Sequence, residues 1–211
     1  MNTERLIAAL AADKAPEQRP RRALLLALPL GIMAAGAVFM LTLGPRPDFM
    51  HAIETWRFVF KFVVTLVLSA SALLIGLRLA YPMQASPRRD LILLIAPLLL
   101  VAAILVEMTT FPIRDWMPRL IGHNSRVCMS MIPVLSLAPL AALLWALRRG
   151  APLNPLRAGA IAGLIAGGIG AAWYASHCPD DSPLFVAVWY TIGISIVTAI
   201  GAALGSRLLR W

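Results

Sequence analysis

The sequence predicts an all-α membrane protein: a polytopic bundle of six transmembrane helices with both termini on the same side. Three observations carry this prediction. Of 211 residues, 60% are apolar and 14% are charged, against about 45–50% and about 25% in ordinary soluble domains. The mean hydropathy is +0.79. The charges that remain cluster between long apolar stretches. A soluble core of this size has no room for so much apolar surface, so most of it must face lipid or other membrane helices. A soluble globular domain, a disordered regulator and a disulfide-rich secreted module are all excluded.

Taken in order, residues 1–22 form an amino-terminal segment. Thr3 can cap a short helix on which Leu6, Ile7, Ala9 and Leu10 make an apolar stripe. Such a stripe suits the lipid surface, helped by Arg19, Arg21 and Arg22, and equally a groove on a soluble partner. Residues 23–43 then carry no charge; at about 1.5 Å per residue they reach about 31 Å, enough for the hydrocarbon core. Pro45 follows where a small-residue cleavage site would be needed, so a membrane span is expected rather than a cleaved signal peptide. Stretches 58–77, 91–108, 127–147, 158–175 and 184–206 read the same way. The expected organisation is a segment 1–22, a six-span domain 23–206 and a tail 207–211.

The connections differ sharply in charge. The amino-terminal segment, the second and fourth connections and the tail hold thirteen Lys and Arg against Glu4, Asp13, Glu17 and Asp90. The other three connections and the span ends beside them hold six basic residues against six acidic ones. The net charge of +9 therefore lies on one side. By the positive-inside rule that side is the cytoplasm, which predicts an N-in, C-in topology. The surplus points to membrane lipid as a contact and away from direct nucleic-acid binding.

The span middles are bland. They offer hydroxyls (Thr65, Ser69, Ser71, Ser136, Ser195, Thr198) that can bond back to their own helix carbonyls. Transporters and pumps place ionisable groups near the midplane, and no hydrolase or phosphate-loop motif occurs, so transport and membrane hydrolysis lose ground. Two charges remain inside the span ends. Lys61 lies one turn below Arg57, and Glu107 sits at a comparable depth; a Lys61–Glu107 ion pair is one expectation and separate snorkelling is the other. In the fifth span Gly159, Gly163 and Gly167 recur at four-residue spacing, with Gly168 and Gly170 after them. This makes a groove for a close helix contact, and Gly201 and Gly205 on the sixth span offer a match. Packing within the bundle is expected ahead of a dimer face.

The reactive side chains collect on the less basic side. Both cysteines, Cys128 and Cys178, and all three histidines lie there. In an oxidising periplasm the two thiols can form a structural disulfide. They can equally act as a reversible switch, with Cys178 beside His177 in an exposed, turn-like H-C-P-D-D-S-P segment and Cys128 two residues after Arg126. A soft-metal site using Cys128, Cys178 and His177 is a third reading, with the metal as signal and no resident cofactor. Pro133 and Pro139 in the fourth span, behind Cys128, predict kinks through which a change could travel.

Four stretches are similar to a known family. They are M-N-T-E-R-L-I-A-A-L-A-A-D at 1–13, W-R-x-x-x-K at Trp56, Arg57 and Lys61, C-M-S-M-I-P-V-L-S at 128–136, and H-C-P-D-D-S-P-L-F-V-A-V-W-Y at 177–190. In these the chain resembles NrsF, the six-span anti-sigma factors that negatively regulate an extracytoplasmic-function sigma factor. The resemblance implies an inner-membrane regulator, not an enzyme. It would sequester its sigma factor on the cytoplasmic side and sense oxidising or heavy-metal stress through Cys128 and Cys178. The amino-terminal segment, with Leu6, Ile7 and Leu10, is the implied contributor to sigma-factor contact. The alternative from another class is a quinone-coupled membrane thiol oxidoreductase, which would share the two cysteines but lacks a C-x-x-C pair.

Overall fold

The computed structural model describes residues 3–4, 7–8, 19–79, 87–150 and 152–210, and among these it contains helices and no strand. Six helices are long and apolar enough to cross a membrane: α1 (Arg22–Thr42), α2 (Trp56–Leu79), α3 (Arg88–Thr110), α4 (Ser125–Leu147), α5 (Pro155–Ala175) and α6 (Pro183–Leu208). Every boundary falls within three residues of the stretch expected from sequence. The chain is a multi-pass membrane protein. Connections 43–55, 111–124 and 176–182 gather on one face, here the cysteine face, and the opposite ends of the helices form an arginine face. Of the apolar stripe at the amino terminus, Leu6 and Leu10 lie outside the described residues, and Ile7 is exposed.

Local chemistry explains where the helices begin. Asn154 accepts a hydrogen bond from the Arg157 amide at 3.0 Å and Pro155 takes the first position of α5. Ser182 and Pro183 repeat the arrangement at α6, with the Leu184 amide 3.3 Å from the Ser182 hydroxyl. In both, a side-chain acceptor satisfies an orphan amide and proline occupies a site that needs no donor. α3 opens less regularly, as a 3-10 stretch over Leu91–Leu94. Pro97 follows; it cannot donate to the Leu93 carbonyl and its ring crowds it, which accounts for the tightened turn.

α5 is the axis of the bundle. A methyl on Gly163 would lie 2.6 Å from the Thr198 Cα, and one on Gly205 would lie 2.6 Å from the Gly159 Cα. The two glycine grooves therefore meet within one chain, as expected, and α5 and α6 touch backbone to backbone. On its other sides α5 packs through Gly168 against Ser69 of α2 and through Gly170 against Ser136 of α4. Between helices in lipid the hydrophobic effect contributes little, so this close van der Waals fit supplies the cohesion. Five of the six span hydroxyls behave as expected: Thr65, Ser69, Ser71, Ser136 and Thr198 each donate to a carbonyl three or four residues back in their own helix.

α1 lies on α4, where a methyl on Gly31 would meet the Pro139 Cα at 2.8 Å. α4 runs as one helix through Pro133 and Pro139. α3 stands at the edge, and over Ile95–Thr110 it buries only Ala96, Ala103 and Glu107. Two apolar clusters fill the interior. One, toward the arginine face, includes Leu24, Leu143, Leu147 and Ile161. The other, toward the cysteine face, includes Phe39, Ile132, Phe185 and both cysteines.

Candidate functional site

The segment that leaves α5 turns sharply because Pro179 cannot continue a helix. The His177 and Cys178 amides still reach back to the Tyr174 carbonyl, at 3.0 and 3.1 Å. The next residues then fan out. Lys61 of α2, fully buried, donates to the Cys178 carbonyl at 2.7 Å, and its ammonium lies 2.6 Å from Asp181 Oδ1. Asp181 also meets Arg46 at 2.9 Å. Asp180 accepts from the amides of His123 and Asn124, at 3.1 and 2.9 Å, just ahead of α4. Ser182 donates to Glu107 of α3 at 3.1 Å. Five consecutive residues, 178–182, thus hold α2, α3, the lead-in to α4 and the first connection.

Glu107 is the second centre. It is fully buried and is met by Arg57 and Arg119, each at 2.9 Å. Both guanidinium groups also stack on Phe111, with Arg57 4.7 Å and Arg119 3.4 Å from the ring centroid. A buried carboxylate needs such company: two cations and a hydroxyl offset its desolvation, and the aromatic face holds the guanidiniums flat. The expected Lys61–Glu107 pair is therefore corrected. Each residue is buried in an ion pair, but Lys61 belongs to Asp181 and Glu107 to Arg57 and Arg119. Arg57 lies on α2 itself, but Asp181 and Arg119 come from the connections, which fold back over the helix ends; a comparison of depths along spans has no view of them.

The cysteines lie beneath this roof. Cys128, on the first turn of α4, and Cys178 are both completely buried and both free thiols. They share one apolar cluster with Ile132, Tyr174, Phe185 and Tyr190. The expectation of an exposed Cys178 is corrected: its polar neighbours are consumed in ion pairs that cover it. Burial pushes the Cys178 thiol above its ordinary range, with the Lys61 charge pulling the other way. Arg46 is raised chiefly by its hydrogen bond to Asp48, and Asp48 is lowered chiefly by Arg46. The Tyr190 hydroxyl is buried with no hydrogen-bond partner among the described residues. Tyr190 ends a π-helical turn at Val186–Tyr190, an irregularity of a kind concentrated at functional sites.

His177 turns toward the first connection. Its Nδ1 lies 3.0 Å from the Gly44 carbonyl, and no group of three His, Cys, Asp or Glu side chains converges among the described residues. Sequence reasoning singled out Cys128, Cys178, Lys61 and Glu107 but missed Asp181, Asp180, Ser182 and Arg119. The acids of the H-C-P-D-D-S-P segment were the available signal, since buried Lys61 needs an acid.

A family model described as the negative regulator of sigma F, NrsF, matches residues 10–211. The anti-sigma-F factor NrsF of Caulobacter vibrioides is 38% identical, and the probable anti-sigma-F factor NrsF of Azospira oryzae is 32% identical, each across the whole of both chains. No solved structure matches. A helical membrane bundle with its polar interactions gathered over two thiols, matched end to end by such relatives, leaves one assignment: the chain belongs to the NrsF family of anti-sigma factors.

Proposed function

We propose that the protein lies in the bacterial inner membrane with its arginine face in the cytoplasm and its cysteine face in the periplasm. There it holds an extracytoplasmic-function sigma factor inactive and releases it when Cys128 and Cys178 react. The charge asymmetry supports the orientation. The observation that carries the sensing role is the burial of both thiols in one cluster, directly under the residues that tie the outer connections together. Oxidation by a disulfide-class oxidant removes two electrons and two protons from the pair, forming one S–S bond while the oxidant leaves as two thiols. A soft cation such as cadmium would instead displace the two thiol protons. Either product changes the spacing of Cys128 and Cys178. Cys178 cannot move without disturbing the Lys61 contact to its carbonyl and the Asp181 and Ser182 ties beyond it.

On the cytoplasmic side the amino-terminal segment, with Ile7 exposed, is the contributor to sigma-factor contact. The test is co-purification. Under reducing conditions the full chain should retain its sigma factor, and oxidant or cadmium should release it. C128S and C178S should keep the sigma factor bound under both treatments. Equal retention by the wild-type chain with and without oxidant and cadmium would overturn the sensing role. Failure to retain any sigma factor when reduced would overturn the proposed partner.

A further inference from the structure

The seam between α2 and α3 holds two cavities, one at the arginine face and one that reaches in to the apolar cluster shared with the cysteines. The first opens on the arginine face and has a volume of about 330 Å³, with Arg78 at the end of α2, Arg88 and Arg89 at the start of α3, and Leu74, Ile75 and Ile92 as its apolar walls. The three arginines are exposed, and none has a carboxylate within ion-pair distance among the described residues. Asp90 is no competitor, because Arg157 holds it at 2.5 Å. Residues 80–86 include no acidic residue. The second cavity, about 270 Å³, lies deeper between Val64, Leu68, Ala96, Leu100 and Ile194, with Ser195 at its edge.

The two cavities use the same faces of their helices. Leu68, Ile75 and Arg78 of α2 recur at spacings of seven and three, and Arg89, Leu93, Ala96 and Leu100 of α3 at four, three and four. From Arg78 to Val64 the distance along α2 is about 21 Å at about 1.5 Å per residue, the length of an extended phospholipid acyl chain. Exposed Leu74 and Leu91 flank the arginines, which puts the cationic pocket where hydrocarbon gives way to head groups. A pocket of about 330 Å³ lined by three arginines suits a phosphodiester head group.

We infer that this seam is a binding site for an anionic phospholipid. The phosphate sits among Arg78, Arg88 and Arg89, and one acyl chain runs along the seam into the apolar cleft. Guanidinium forks match phosphate oxygens in number and geometry. Basic pockets between membrane helices take lipid head groups for the same reason. The cleft adds chain length and so separates a lipid from a free phosphate.

Native mass spectrometry of the full chain in detergent tests this, with phosphatidylglycerol and phosphatidylcholine titrated separately. The wild type should retain phosphatidylglycerol well ahead of phosphatidylcholine, and R88Q/R89Q should lower that retention about fivefold per arginine removed. These side chains are exposed and have no ion-pair partner among the described residues, so the variant should keep its helical circular dichroism and its elution as a single species. S195F, which fills the cleft without touching an arginine, should weaken both lipids while leaving the preference between them. Equal retention of the two lipids by the wild type overturns the proposal, as does glycerol phosphate binding as well as phosphatidylglycerol. If R88Q/R89Q keeps its lipid but loses a soluble protein partner, the pocket is a protein-docking site and the proposal fails.

Discussion

α5 and α3 are both transmembrane helices, yet 78% of the most apolar window of α5 is buried inside the bundle and only 17% of that of α3. The buried helix is the less oily one. α5 carries glycine and alanine where it meets its neighbours, whereas α3 is dominated by leucine, isoleucine and valine turned to lipid. In water the oiliest segment goes inside. In a bilayer the lipid is as apolar as leucine, so the interior goes to the helix whose backbone can be approached most closely. The two are also held differently. α5 is held by shape along its length, while α3 is anchored by charge near its two ends, through Glu107 with its ligands and through the Asp90–Arg157 ion pair.

That contrast can be broken from either side. The largest effect should come from Gly163→Leu. With the α6 backbone already 2.6 Å from where a Cβ would stand, the side chain has no room, and we expect loss of more than about 3 kcal/mol, read as a collapse of the thermal unfolding midpoint in detergent. Glu107→Ala attacks the other mode of attachment. It strips Arg57 and Arg119 of their buried partner, a change that costs about 3–5 kcal/mol in comparable sites. Its signature should be local: faster hydrogen exchange in α3, with α5 still protected.

Smaller changes sharpen the picture at the loop where both kinds of packing meet. Tyr190→Phe removes a buried hydroxyl that has no partner among the described residues, and we expect stability to rise by about 1 kcal/mol. A fall in the unfolding midpoint would show that the hydroxyl is satisfied. The Cys178 thiol is raised from an ordinary value of 9.0. Between that pH and its higher folded value only the unfolded chain loses the proton. Its contribution to stability is therefore complete below pH 9.0 and is lost as pH rises through the folded value. The wild type should accordingly lose stability faster than Cys178→Ala above that pH. The smallest effect belongs to Leu98→Ala on the lipid face of α3, where Leu98 is exposed; we expect less than about 0.5 kcal/mol.

Much of this was legible in the sequence, and the boundary between what was and was not has a physical cause. The spans, the glycine match between α5 and α6 and the shared face of Cys128 and Cys178 all follow from periodicity and hydropathy, which act along one helix at a time. The ion pairs do not. Lys61 and Glu107 stood out because charge is costly in a span, but their partners Asp181 and Arg119 lie in connections whose path depends on the packed helices beneath them. The same cause misplaced Cys178. A polar segment ordinarily signals exposure, but here Asp180 and Asp181 turn inward to meet amides and cations, and the thiol is sealed by them.

One consequence of the edge position of α3 concerns distance. The helix is a rod of 23 residues, about 35 Å long at about 1.5 Å per residue. It is clamped near one tip by Glu107, tied near the other by the Asp90–Arg157 ion pair, and rests between them on two alanines. A rod held that way converts angle into travel: a tilt of about 10° around Glu107 moves the far tip about 5 Å over the roughly 28 Å between Glu107 and Arg88, and so pulls on the Asp90–Arg157 ion pair. Arg88 and Arg89 ride on that far tip, on the membrane surface opposite the thiols.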